Sequence, residues 1–382
     1  MTGVALLGST GSIGRSALRV LERHADEFRV VALAGNTNAG ELMQQVERFE
    51  PQLAVLVNGD AAVAHGSLPA RIRTGRSALL EAAAHPDAEI VINAVVGAAG
   101  LEATLAALLS GKRLALANKE SLVAGGALVR AALLKGGGEL VPVDSEHSAI
   151  LQCICGAPAR AVRRMILTAS GGPFRQWPID RLAAATPAEA LKHPTWRMGA
   201  KITVDSATLA NKALEVVEAH YLFDAPFDGI EVVVHPQSVI HSMVEFIDGS
   251  VLAQLGFPDM ELPILYALTH PRRVADQGSR AFDPVAAGTL TFEAVDDSRF
   301  RAFGLGIAAG RAGGTAPAVF NAANEVAVAG FLDGAVSFTG IADVIEHALD
   351  AHEAVPADTI ETVLAADRWA RDVAGAAVRK IC

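Results

Sequence analysis

Gly8-Ser9-Thr10-Gly11-Ser12-Ile13-Gly14 lies between an apolar run, Val4–Leu7, and a helical pattern that begins near Ser16. Glycines between a strand and a helix let the backbone approach a pyrophosphate. The helix start adds free N–H groups and the positive end of its dipole. The spacing is GxxGxxG, looser than GxGxxG, so its position carries the reading more than the triplet does.

The chain around this turn agrees with it. Continuous apolar runs recur at Arg29–Ala34, Leu53–Val57, Ile90–Ala94, Leu114–Ala117 and Leu140–Val143. Such runs suit a parallel sheet covered on both faces. Helical patterns at Ser16–His24, Gly40–Phe49 and Leu101–Leu109 separate them. Alternation of this kind predicts an α/β fold, with a Rossmann-type doubly wound parallel sheet over residues 1–144. The second run ends Gly35-Asn36-Thr37-Asn38. An acid there would take the ribose 2′-hydroxyl of NAD. None is present, which points to NADP.

Beyond residue 144 the alternation stops. Met165–Thr168, Glu231–His235, Val239–Phe246 and Ser250–Leu255 read as strands, with Asp248-Gly249 as a hairpin turn. An α+β middle domain over 145–276 is expected, with an antiparallel or mixed sheet. Residues 277–297 read as an irregular connector. Residues 298–382 are Ala-rich and read as a small helical domain with stops at Gly313-Gly314, Gly330 and Gly334.

Composition narrows the function classes. Hydrophobic residues make up 51% of the 382 and charged residues 19%, enough for real cores. A net charge of −10 opposes nucleic acid binding by the overall field, so any phosphate must be held locally. Three cysteines (Cys153, Cys155 and Cys382) make no disulfide framework and suit a reducing compartment. Cys153 and Cys155 read as small buried side chains. No apolar run reaches the roughly 20 residues of a membrane span, and no signal peptide pattern opens the chain. A soluble cytoplasmic protein is expected.

Two polar clusters suggest chemistry. Asp144-Ser145-Glu146-His147 follows an apolar run. On extended backbone, Asp144 and Glu146 would point the same way and repel each other unless a cation sits between them; taken alone, the pair reads more readily as a solvated turn with two surface acids. Further on, Val204-Asp205-Ser206 leads into a helical stretch where Asn211, Lys212 and Glu215 share one face at i,i+3 and i,i+4 spacing. That face reads either as a phosphate and cation cradle or as an exposed helix with an ordinary ion pair. Ser170-Gly171-Gly172-Pro173 offers a hydroxyl and amides to a phosphate. His193-Pro194-Thr195-Trp196-Arg197-Met198-Gly199 reads either as a mobile lid or, for Trp196, as ordinary packing.

Taken together the chain resembles the 1-deoxy-D-xylulose 5-phosphate reductoisomerase family. The carrying stretches are GSTGSIG at 8, LANKES at 116, PVDSEH at 142, SGGPF at 170, HPTWRMG at 193, VDSATLANKALE at 204, HPQSVIHSMV at 235 and GSVLAQLG at 249, with AANEVA from 322. The resemblance implies an NADPH- and metal-dependent conversion of 1-deoxy-D-xylulose 5-phosphate to 2-C-methyl-D-erythritol 4-phosphate in non-mevalonate isoprenoid synthesis. Rearrangement of the carbon skeleton would precede hydride transfer. It further implies that Asp144, Glu146 and Glu215 ligate Mg²⁺, Mn²⁺ or Co²⁺. Ser170, His193, Ser206, Asn211 and Lys212 would cradle the phosphate, and Lys119 and Ser145 would contact the polyol. Trp196 and Met198 would cover the substrate, with His241 nearby. Thr10, Gly11, Ser12, Ile13, Gly35, Asn36, Asn38, Asn118, Glu120 and Gly199 would contact NADPH. A homodimer is implied as well. The family's usual basic residue after the second strand is missing here, and Arg15 is a candidate substitute. From the residues alone, another NADP-dependent dehydrogenase of a small aldehyde or semialdehyde, or a non-catalytic NADPH sensor, stays open.

Overall fold

The structure is a computed structural model that describes residues 1–59, 72–196 and 198–381. Arg197 and Cys382 lie outside the described residues. The chain forms two compact units. The first comprises residues 1–121, 128–148 and 259–280; the second comprises 122–127, 149–258 and 281–382.

The first unit is built on a parallel sheet. Among the described residues its strands are β1 (Thr2–Leu7), β2 (Phe28–Gly35), β3 (Leu53–Leu56), β4 (Ile72–Thr74), β5 (Ile90–Asn93), β6 (Arg113–Leu116) and β7 (Glu139–Pro142). Their order is β4-β3-β2-β1-β5-β6-β7. The chain thus winds outward from β1 in both directions, which is the doubly wound arrangement. Six strands match the predicted runs. The seventh, β4, has one apolar residue in three and sits at the sheet edge, so no periodicity marked it. Val4, Ala5, Leu6 and Leu7 in the middle of the sheet are wholly buried. Burying a Val or Leu side chain contributes about 1.5–3 kcal/mol.

Residues 259–280 return to this unit late in the chain. Helix Glu261–Thr269 packs on helix Ser12–Arg23. Glu261 bridges Arg19 at 2.6 Å and Arg23 at 2.7 Å, and Asp276 meets Arg23 at 2.8 Å.

The second unit carries a mixed sheet of β8 (Val162–Ala169), β9 (Ile230–Val234), β10 (Ile240–Phe246), β11 (Val251–Leu255) and β12 (Glu293–Ala294). The order is β11-β10-β8-β9-β12. β8 and β9 run parallel, whereas the β8–β10 and β10–β11 pairs are antiparallel. The β10–β11 turn holds Gly249 at φ 85°, and Ser250 N donates to Asp248 Oδ1 at 2.9 Å. The supposed connector is less irregular than its sequence, because Glu293–Ala294 pairs with β9 as an edge strand.

Helices Arg301–Ala312, Ala316–Leu332, Gly340–Asp350 and Ile360–Ile381 follow. Their core includes Phe320, Phe331, Ile341 and Ala370, together with Phe174 and Leu214. Gly313-Gly314 and Gly334 lie past helix ends as expected. Gly330 does not stop its helix. A Cβ there would approach Val336 and Val378 at 3.1–3.2 Å, so this glycine serves close helix packing.

Candidate functional site

In the first unit the glycine turn is dictated by close approach. Gly8 has φ 84°, and a Cβ on it would lie 2.3 Å from Ala94 O. A Cβ on Gly14 would meet Gly8 O at 2.3 Å. Gly11 is the N-cap of helix Ser12–Arg23, and no side chain caps that end. Its first N–H groups therefore suit an anion. Thr10 packs beside Gly35, where an added Cβ would meet Thr10 Cγ2 at 3.2 Å.

After β2 the side chains are partly committed. Asn38 caps helix Ala39–Phe49, its Oδ1 accepting from Glu41 N at 3.1 Å. The sequence shows no acid between Leu33 and Asn38, but the fold brings one in from the next helical turn. Arg15 Nη1 donates to Thr10 O at 2.8 Å and to Glu41 at 3.0 Å. Asn118 is buried; its Nδ2 donates to Val95 O at 2.7 Å, Gly97 O at 3.0 Å and Glu120 Oε2 at 3.0 Å, while its Oδ1 caps the helix from Lys119.

Asp144 and Glu146 are placed differently from the extended segment predicted. β7 ends at Pro142, and helix Ser145–Ile154 starts directly after Asp144. Glu146 sits in the first helical turn, and its N–H donates to Asp144 Oδ1 at 3.3 Å. The Asp144 carbonyl also accepts from Ser148 N at 2.8 Å. This polar tetrapeptide has no apolar period to hold it in a sheet, whereas Asp and Ser favour helix starts. Ser145 Oγ donates to Glu146 Oε2 at 2.5 Å. Lys119 Nζ donates to Asp144 Oδ2 at 2.6 Å, and buried His147 stands 3.6 Å from its other oxygen. Burial pushes the Asp144 carboxyl up, but Lys119 and His147 outweigh it. The group ends well below the usual carboxylate range.

In the second unit, helices Ala200–Thr208 and Ala210–Phe223 meet at Leu209, which is left-handed at φ 56°. A non-glycine residue there is strained, and such strain gathers at functional sites. Past the kink, Asn211 and Lys212 both donate to Glu215. Lys212 is 4% exposed and Glu215 1%. The exposed-helix reading of this face is therefore wrong: the spacing was right, and the ion pair is interior.

The phosphate-type residues converge in the same unit. His193 Nε2 lies 2.9 Å from Ser170 Oγ and 3.2 Å from Ser206 Oγ. Ser170 follows β8 and Ser206 belongs to helix Ala200–Thr208. His193 Nδ1 accepts from the N–H groups of Thr195 at 3.2 Å and Trp196 at 2.9 Å. Nδ1 is thus an acceptor, so Nε2 carries the proton of a neutral ring. Burial pushes this imidazole down to about 4. The Trp196 ring lies 6.0 Å from the His241 ring. Thr195 Oγ1 meets Ser238 Oγ at 3.3 Å, a contact no spacing announced. Met198 is half-buried, and Gly199 is the N-cap of the following helix. Cys153 is buried as expected. Cys155 is exposed, because it lies one residue past the end of helix Ser145–Ile154.

Residues 4–126 match the model of 1-deoxy-D-xylulose 5-phosphate reductoisomerase, and residues 140–223 and 255–373 match two models of its C-terminal domain. The chain is 51% identical over 374 residues to the 1-deoxy-D-xylulose 5-phosphate reductoisomerase of Thermosynechococcus vestitus, covering 96% of this chain and 90% of that protein. It is 51% identical over 384 residues to that of Symbiobacterium thermophilum, covering 97% of each. Among solved structures, the Zymomonas mobilis enzyme in complex with NADPH is 44% identical, with a TM-score of 0.91 and 99% of each chain covered. A reductoisomerase in complex with NADPH, fosmidomycin and magnesium is 38% identical, with a TM-score of 0.93 and coverage of 99% and 98%. With identity of this order along nearly its whole length, the chain belongs to the 1-deoxy-D-xylulose 5-phosphate reductoisomerase family.

Proposed function

We propose that this chain converts 1-deoxy-D-xylulose 5-phosphate to 2-C-methyl-D-erythritol 4-phosphate, with NADPH and a divalent cation. The observation that carries the reading is the Ser170–His193–Ser206 cluster, in the unit that also holds the buried Lys212–Glu215 pair. Two hydroxyls and a neutral imidazole N–H offer a phosphate hydrogen bonds, and Lys212 offers it charge. Binding energy from a phosphate remote from the reacting carbons orients the rest of the substrate.

Asp144, Glu146 and Glu215 are the residues that would hold the cation. As a donor set they fit: all are carboxylates, the oxygen ligands a hard cation prefers. Asp144 is kept ionised beside Lys119, and Glu215 is ion-paired to Lys212. When bound, the cation supplies a Lewis acid and a template. Lys119, joined to Asp144, orients the polyol together with Ser145. The uncapped helix after Gly11 receives the cofactor's pyrophosphate, with Thr10, Ser12, Ile13, Gly35, Asn36 and Asn38 around it. Asn118, Glu120 and Gly199 complete the proposed cofactor contacts, and Arg15 takes the 2′-phosphate. Trp196 and Met198 cover the substrate and exclude water.

Residues 1–144 thus serve the cofactor and also supply Lys119 and Asp144, 145–258 serve the catalytic site and dimer, 259–276 complete the cofactor unit, 277–297 give the connection and 298–382 the support. The support for a homodimer is β11, an edge strand whose Val251, Leu252 and Leu255 are exposed. Such an edge is a ready template for pairing. Light scattering should give twice 39.6 kDa. The compartment we assign is the cytoplasm, which the low cysteine count suits. Among the described residues no helix is long and apolar enough to cross a membrane.

The deciding experiment is NADPH oxidation with 1-deoxy-D-xylulose 5-phosphate after EDTA treatment, with and without Mn²⁺. Turnover that returns only with metal and this substrate is expected. Metal-independent turnover, or none at all, overturns the reading.

A further inference from the structure

Asp205 precedes Ser206 and is fully buried. Its Oδ2 lies 2.9 Å from Lys201 Nζ, one turn back in the same helix. Its Oδ1 accepts from Asn324 Nδ2 at 2.8 Å, from helix Ala316–Leu332, 119 residues away. Asn324 is also fully buried, and its own Oδ1 has no hydrogen-bond partner among the described residues. A buried carboxylate and a half-used amide are a costly way to fill a core, where apolar side chains would pack at lower cost.

What they add is direction. Helix Ala200–Thr208 is weakly fixed at its ends: its N-cap is Gly199, with no side-chain cap, and it stops at the strained Leu209. Between these ends, the surrounding contacts of Val204 and Ala207 are apolar and non-directional. The Asn324–Asp205 hydrogen bond is directional. Asp205 and Ser206 project about 100° apart on the helix, so fixing one fixes the other. A rotation of about 20° at a side-chain radius of about 5 Å moves an atom by ~1.7 Å. That is enough to break the 3.2 Å contact between Ser206 Oγ and His193.

We infer that Asn324 is a positioning residue for the phosphate cradle, acting through Asp205 to set where Ser206 Oγ stands. This rests on the assignment of Ser206 to the phosphate. The test compares Asn324→Ala, the exchange variant Asp205→Asn/Asn324→Asp, and Ser206→Ala as reference. Inorganic phosphate affinity is measured by calorimetry, alongside KM, kcat and melting temperature.

Asn324→Ala should weaken phosphate binding and raise KM about tenfold, the order expected for a lost hydrogen bond to a charged group. Its kcat should stay within about threefold. The exchange variant swaps donor and acceptor across the same contact and should recover phosphate affinity. A lowered melting temperature with unchanged phosphate affinity and KM in Asn324→Ala would show a merely structural role and overturn the inference. So would an exchange variant that regains its melting temperature but not its phosphate affinity. If Ser206→Ala itself leaves phosphate binding intact, the cradle assignment fails and the inference falls with it. If Ser206→Ala weakens binding and Asn324→Ala does not, the positioning role alone is refuted.

Discussion

Glu215→Gln separates two accounts of the cluster formed by half-buried Asn211 and the buried Lys212–Glu215 pair. As a purely structural ion pair, the cluster would show its loss as stability. As a carboxylate kept for a cation, it would show its loss as turnover. Glu215 is 1% exposed and Lys212 4%, so the substitution removes a carboxylate charge from a pair held in the interior. Breaking a buried pair costs about 3–5 kcal/mol. Gln keeps the shape and can still accept from Asn211, which places the loss at or below about 3 kcal/mol. At roughly 2–4 °C per kcal/mol, melting falls by up to about 12 °C and the protein stays folded at 25 °C. Loss of one of three oxygen ligands should lower turnover at least about a thousandfold, or ~4 kcal/mol of barrier. The assay is NADPH oxidation at 25 °C, paired with melting curves with and without Mn²⁺. Mn²⁺ should raise the wild-type melting temperature, because a ligand stabilises the state that binds it. The variant should lose most of that rise. Turnover within about tenfold of wild type, or an equal Mn²⁺ effect on both proteins, would refute the ligand role.

Three further outcomes are expected. Gly14→Ala puts a Cβ 2.3 Å from Gly8 O, a backbone clash that must be relieved by moving the turn; NADPH affinity should fall at least tenfold for a strain of about 1–3 kcal/mol, with the circular dichroism unchanged. Arg15→Ala should weaken binding of 2′,5′-ADP while leaving 5′-AMP unchanged, as measured by calorimetry; equal loss for both would remove Arg15 from the 2′-phosphate. His193 remains neutral in the folded protein down to about 4, against an ordinary value of 6.5. The unfolded chain takes up this proton first, so this contribution to stability is complete above pH 6.5 and is lost as the pH falls from 6.5 towards 4. Denaturant midpoints between pH 4 and 7 should fall less steeply for His193→Gln than for wild type, and parallel profiles would contradict the buried neutral ring.

The parallel sheet was legible because strands buried on both faces read as unbroken apolar runs. β4 escaped notice because Ile72 alone in that strand is buried. The Asn211, Lys212 and Glu215 face was legible as spacing, since i,i+3 and i,i+4 neighbours meet on any helix. Whether it faced water or the interior was not, because that depends on Val217 and Leu214 finding partners in helices about 100 residues later. Gly330 failed as a stop signal for the same reason: Val378, which demands it, is 48 positions away. The convergence of Ser170, His193 and Ser206 is likewise a tertiary fact with no local signature.

The late return of residues 259–280 bears on how the protein is made. Ile264, Leu265 and Leu268 are buried in the first unit, where their helix is also held by Arg19 and Arg23. A nascent chain emerges from the ribosome N-terminus first, at about 5–20 residues per second. The glycine turn and β1 to β7 are therefore available well before the helix that completes their unit. During that interval the face of helix Ser12–Arg23 that receives Glu261–Thr269 has no cover, and β8 to β11 of the second sheet are synthesised before it gains one. Truncation near residue 148 should accordingly yield a fragment prone to aggregate. The same fragment joined by a short linker to residues 259–280 should be the smallest piece that remains in solution.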